Sequence, residues 1–175
     1  MDDAEQRILL IGMMGSGKTT VGREVAARTG WPFFDNDALV RQLTGREPAA
    51  IDAEDGEETL HDAEAAAFQA ALARPGPAVI AVAGFVVDAP AERSGLAAAG
   101  HVVWLRADAE TLRARIGSGV GRRADARNLD WIRDRVNERE ARYRAVADQV
   151  IDVDAITPAD VAARIVAALG RTAAD

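Results

Sequence analysis

The sequence predicts an α/β fold, a five-stranded parallel sheet with helices on both faces. Three observations carry that prediction. Residues 12–19 read Gly-Met-Met-Gly-Ser-Gly-Lys-Thr, a complete G-x-x-x-x-G-K-[ST] phosphate-binding loop. Short apolar, β-prone runs recur at 8–11, 31–34, 79–83, 102–105 and 150–153. Helical patterns fill most of the chain between them, and strands alternating with helices imply a parallel sheet covered on both sides. A phosphate loop straight after the first strand makes this the P-loop NTPase arrangement, with ligands gathered at the carboxyl ends of the strands. At 175 residues the chain has enough length for one full core, so a single domain over 1–175 is expected.

Ile8-Leu9-Leu10-Ile11 is apolar throughout and reads as a buried strand. In the loop that follows, Gly12, Gly15 and Gly17 let the backbone curl, so that N–H groups, that of Ser16 among them, point inward at a phosphate. A helix is expected from Thr20 to Ala27, with its N-terminus adding partial positive charge. Lys18 then reaches the β- and γ-phosphates of ATP, and the Thr19 hydroxyl is placed for Mg²⁺.

Trp31-Pro32-Phe33-Phe34 leads to Asp35-Asn36-Asp37. In an extended segment carboxylates two residues apart point the same way. Asp35 is therefore a metal candidate beside Thr19, since Mg²⁺ takes hard oxygens and few protein ligands. Asp37 is the candidate to orient an acceptor hydroxyl and take its proton. The competing reading is a solvated turn that caps a helix at 38–43.

Pro75-Gly76-Pro77 marks a turn before the strand at 79–83. Gly117 to Asn128 carries glycines at every second position, then Arg122, Arg123 and Arg127. It is either a solvated surface loop or a lid, at about 117–128, that closes over phosphates and excludes water. The final helix is expected from Pro158 to Leu169. Thr157 is its N-cap, Val161, Ile165, Val166 and Leu169 make one apolar face, and Gly170 is its stop.

Composition narrows the function. A net charge of −7 argues against nucleic acid as a partner. The absence of cysteine excludes disulfides, thiolate metal sites and a cysteine nucleophile. The acidic start Met1-Asp2-Asp3-Ala4-Glu5 is unlike a secretory signal, and no apolar run reaches membrane-spanning length. A cytoplasmic, monomeric protein without a membrane partner is expected.

From residue 8 to 169 the ordered motifs resemble the shikimate kinase family. The P-loop runs into Thr20-Val21-Gly22-Arg23, and Asp35-Asn36-Asp37 falls where the family has Asp-x-Asp. Thr44-Gly45-Arg46, Asp55-Gly56-Glu57 and Glu64 follow, then Gly100 to Leu105, Arg122, Glu138 to Tyr143 and Val146-Ala147-Asp148. The resemblance implies an acceptor-binding region at about 35–64. It implies that Gly15, Gly17, Lys18, Thr19 and Thr20 hold ATP phosphates and Mg²⁺, and that Asp35 supports the metal through water. Asp37 would bind the acceptor's hydroxyls, Arg122 would swing onto the phosphates, and Arg139 would bind the acceptor's carboxylate. Arg115 falls where the family places an adenine-stacking arginine; a plain surface arginine is the alternative.

Three departures from the family pattern stand out. The first of two carboxylate-binding arginines is replaced by His61, which offers no bidentate fork. Three consecutive glycines after the third strand are replaced by Ala83-Gly84-Phe85, so only Gly84 survives. Phe85 either lines the acceptor pocket or turns into the core. Arg122 is followed by Arg123-Ala124-Asp125 in place of Pro-Leu-Leu.

The reading that unites these features is ATP- and Mg²⁺-dependent phosphoryl transfer to a hydroxyl of a small molecule, giving shikimate 3-phosphate if the acceptor site works. A kinase for another small hydroxylated acceptor and a nucleotide-binding protein without shikimate activity are the alternatives. An NTP hydrolase is disfavoured because Val79 to Ala83 ends without an acid.

Overall fold

The computed structural model describes residues 6–117 and 128–172. The first strand, β1 (Arg7–Ile11), runs through the phosphate loop into α1 (Lys18–Thr29). Next come β2 (Phe33–Asp35), α2 (Asn36–Thr44), α3 (Pro48–Asp55) and α4 (Glu57–Leu72). After β3 (Ala78–Ala81) comes a 3-10 turn (Gly84–Val87), then α5 (Pro90–Ala99) and β4 (His101–Arg106). The chain ends with α6 (Ala109–Ile116), α7 (Leu129–Val146), β5 (Gln149–Asp152) and α8 (Pro158–Thr172).

All five expected strands are present, in one parallel sheet of order β2-β3-β1-β4-β5. Leu9 pairs with Ile80 on one side and Val102 on the other, so β1 is the central strand. Ile8, Leu9 and Leu10 are fully buried, as a strand covered on both faces requires. From β1 the chain crosses to one side of the sheet for β2 and β3, then passes over to β4. The crevice of such a switch lies at the carboxyl ends of the strands, where β1 delivers the phosphate loop.

Several element bounds differ from expectation. Helix α1 starts at Lys18, two residues early, because Gly17 at φ 96° lets the chain turn straight from loop to helix. Helix α2 starts at Asn36 rather than 38. Asp35 thus ends the strand and caps the helix, its Oδ1 accepting the Asp37 N–H at 3.0 Å. The expected geometry of two carboxylates on one extended segment is corrected accordingly: Asp37 lies in the first helical turn. Helix α8 runs through Gly170 to Thr172. Gly170 does not adopt the left-handed conformation that stops a helix, and a helical glycine costs only about 1 kcal/mol.

Candidate active site

A cavity of about 860 Å³ opens at the carboxyl ends of the strands. Its phosphate end is the loop itself. Glycine is required there on two counts. At Gly12, φ is +143° and a Cβ would sit 2.6 Å from the Leu105 carbonyl; at Gly15, φ is +85° and a Cβ would meet Leu112 O at 3.0 Å. Lys18 Nζ donates to Gly12 O at 2.8 Å and Met13 O at 3.0 Å, which pins the cation over the loop. The first turn of α1 contains no acid, so nothing on the helix neutralises its positive end.

Thr19 Oγ1 donates to Asp35 Oδ2 at 2.6 Å. Asp35 therefore serves two groups at once, capping α2 with one oxygen and holding the P-loop threonine with the other. Among the described residues no three His, Cys, Asp or Glu cluster as metal ligands. One carboxylate and one hydroxyl fit Mg²⁺, which keeps several waters and shares phosphate oxygens. The buried Ser16 hydroxyl and the Asn36 amide, 3 % exposed, find no protein partner, and both residues line the cavity. Buried polar atoms without partners are suited to a ligand or bound water.

The other expected residues converge on the same cavity. Gly15, Gly17, Lys18, Thr19 and Thr20 line it, as do Asp35, Asp37 and Arg115. Gly12 lies beneath the loop and contributes its carbonyl to Lys18. Arg115 Nη2 donates to Val153 O at 2.5 Å, which fixes it near Ile156 and Pro158 at one end of the cavity. Arg122 lies outside the described residues, as do residues 118–127 of the lid expected at about 117–128.

The residues expected to bind an acceptor, His61, Gly84, Phe85 and Arg139, all line the cavity. Phe85 faces the cavity and not the core: its ring stacks on His61 with centroids 3.8 Å apart and planes 10° from parallel. Two of the departures from the family pattern thus meet as one aromatic pair. Gly84 survives for a steric reason, since a Cβ there would lie 2.9 Å from Arg139 Nη1. Arg139 is 11 % exposed and donates from Nε and Nη2 to Asp88 Oδ2, at 2.9 and 2.7 Å. Burial works against its charge, but Tyr143, Asp88 and Glu64 outweigh that, and its pKa stands above the ordinary arginine value.

Sequence reasoning missed Asp88, Arg135 and Asn36. Asn36 sits inside the Asp-x-Asp motif, where its burial could have been suspected. Asp88 carries no local signal, because its partner Arg139 is distant in the chain; Arg135 has local partners in Trp131 and Glu138, but nothing near it points to Glu57.

The family model for shikimate kinase matches residues 14–170. The chain belongs to the shikimate kinase family. Among its relatives, shikimate kinase of Moorella thermoacetica is 39 % identical over 163 residues, 93 % of either chain. Shikimate kinase of Symbiobacterium thermophilum is 47 % identical over 118 residues, 66 % of this chain and 67 % of the relative. The solved structure of shikimate kinase from Acinetobacter baumannii in complex with shikimate superposes with a TM-score of 0.90 at 27 % identity, covering 97 % of this chain and 96 % of that one. This member of the family is a small-molecule kinase carrying out shikimate kinase-like phosphoryl transfer. Among the described residues no helix is long and apolar enough to cross a membrane.

Proposed function

We propose that the protein transfers the γ-phosphoryl group of ATP, with Mg²⁺, to a hydroxyl of a small hydroxylated acceptor of shikimate's type. The observation that carries this reading is the convergence of Lys18, the Thr19–Asp35 pair, Asp37 and Arg139 on one cavity. Thr19 and Asp35 would hold Mg²⁺, which supplies charge neutralisation to the phosphates. The loop amides and Lys18 hold the β- and γ-phosphates. Asp37 accepts the acceptor's hydroxyl proton as that oxygen attacks phosphorus and the bridging bond to ADP breaks. Arg115 lies against the adenine, and Arg139 with Gly84 and the His61–Phe85 pair receives the rest of the acceptor. Arg122 comes onto the transferring phosphate from the segment after α6. The net charge of −7 supports the absence of nucleic-acid partners, and a cytoplasmic monomer is part of the same proposal.

The test is ADP release with ATP and Mg²⁺, with and without shikimate. Saturable stimulation supports the reaction. ATP binding without stimulation by shikimate or any related polyol overturns it in favour of a nucleotide-binding protein.

A further inference from the structure

Helix α7 presents two arginines to the cavity, Arg135 and Arg139. Four residues apart on a helix, they lie one above the other on the same face. Arg139 is fixed from one side. Asp88 Oδ2 takes its Nε and Nη2, while Asp88 Oδ1 takes Arg142 Nη1 at 2.6 Å. Among the described residues no carboxylate takes the Nη1/Nη2 edge of Arg139, and Nη1 lies beside Gly84 and 3.7 Å from Met13 Sδ.

Arg135 is held loosely by comparison. Its Nη2 lies 3.5 Å from Glu57 Oε1 and its Nη1 3.5 Å from Glu138 Oε2, at the outer limit of hydrogen bonding. Glu57 and Glu138 are 38 % and 55 % exposed, so these pairs hold Arg135 weakly and cost little to break. Below the guanidinium lies the Trp131 ring, its centroid 5.4 Å away. A guanidinium lying on a ring keeps its N–H groups directed outward in its own plane. His61 Nε2 stands 3.5 Å from the same Glu57 oxygen, so the guanidinium and the imidazole are neighbours. The imidazole lies flat on Phe85 and has no fork to offer. An anion entering here also meets the charges of Glu57 and Glu64, and the charge of Arg139 is already partly balanced by Asp88. A second cation is needed to hold it, and the same face of α7 supplies one.

We propose that Arg135 is a ligand for the acceptor's carboxylate: it leaves Glu57 and joins the Nη1/Nη2 edge of Arg139 in a cradle of two guanidinium groups on α7. This rests on the kinase reading above, with a hydroxylated carboxylate as acceptor. The second positive charge then comes from α7 and not from position 61 on α4. Arg135 selects for the acceptor's charge, while His61 and Phe85 shape the wall beside it.

The experiment compares shikimate with its methyl ester, which keeps the hydroxyls and removes the charge. Binding is measured by calorimetry with ADP and Mg²⁺ present, and turnover by ADP release with ATP. Arg135→Gln should weaken shikimate binding about tenfold, as loss of one charge-assisted pair does, and leave the ester within about threefold. The same loss should appear in the KM for shikimate and not in the KM for ATP. Arg135→Leu repeats the test should the first variant fold poorly, and ADP binding reports folding of both. A loss of shikimate binding below about threefold in the folded variants overturns the proposal. So does an equal loss for acid and ester, which would mark a merely structural role, or no binding of shikimate by the wild type. Binding without ADP release would instead count against the kinase reading, while the ratio of acid to ester binding would still decide the role of Arg135.

Discussion

In the proposed reaction Lys18 and Asp37 would mark the two ends of the transfer, and each has a distinct expected phenotype. Lys18 is held by two loop carbonyls, so its removal deletes a pre-placed charge at the phosphates. Lys18→Ala should lower kcat by about a hundredfold or more, as loss of one pre-organised donor does elsewhere; steady-state ADP release checks it, and unchanged turnover would sink the phosphate assignment. Asp37→Asn should lower kcat with ATP affinity nearly intact, measured by turnover and nucleotide titration together. Gly84 tests the acceptor end without touching charge. A Cβ placed 2.9 Å from Arg139 Nη1 must push the guanidinium aside. Gly84→Ala should therefore raise the acceptor KM severalfold while leaving the KM for ATP in place. A rise in the ATP value instead would show that Arg139 serves the wrong end of the cavity.

At the scale of elements, the site depends on how closely α1 lies on β2. A Cβ on Gly22 would sit 2.2 Å from the Phe33 ring, the tightest such approach among the described glycines. That contact sets the distance between the helix bearing Thr19 and the strand ending in Asp35. Gly22→Ala should cost about 1–3 kcal/mol by overpacking, read from urea unfolding. It should also loosen the Thr19–Asp35 bond and weaken the response of activity to Mg²⁺. A variant of wild-type stability would mean that the Phe33 ring turns away at no cost.

The whole molecule is tied together by Tyr143, which α7 buries against β4, its ring stacked on Trp104 at 5.5 Å. Burial pushes its phenol up to about 12, with Arg139 pulling the other way. The folded value is raised above the unfolded one of 10.0. The buried neutral phenol thus contributes stability in full below pH 10, and that contribution is lost as pH rises from there through about 12. Tyr143 is the only tyrosine in the chain, so ultraviolet titration reads it alone. The expected result is ionisation near pH 12 in the folded protein and near pH 10 after denaturation. A folded-state titration at the ordinary value would show that α7 is not seated as described, and Arg139 with it.

Much of this protein was legible as sequence. The phosphate loop is a local device, in which glycines, lysine and threonine act within eight residues, and its meaning survives without any partner. The strands were legible because burial on both faces leaves continuous apolar runs such as Ile8 to Ile11. The Asp-x-Asp motif was half legible. Its residues were found, but the extended geometry assumed for them gave way to helix capping by Asp35, because orphan N–H groups at a helix start compete for the same side chain. The acceptor end was decided only by tertiary structure. Phe85 could have packed inward until α4 brought His61 to within stacking distance. Asp88 has no local signature, and its partner lies 51 residues away on α7. Backbone hydrogen bonding and hydrophobic period are written into neighbouring residues, whereas the pairing of buried charges depends on which elements the sheet order sets side by side.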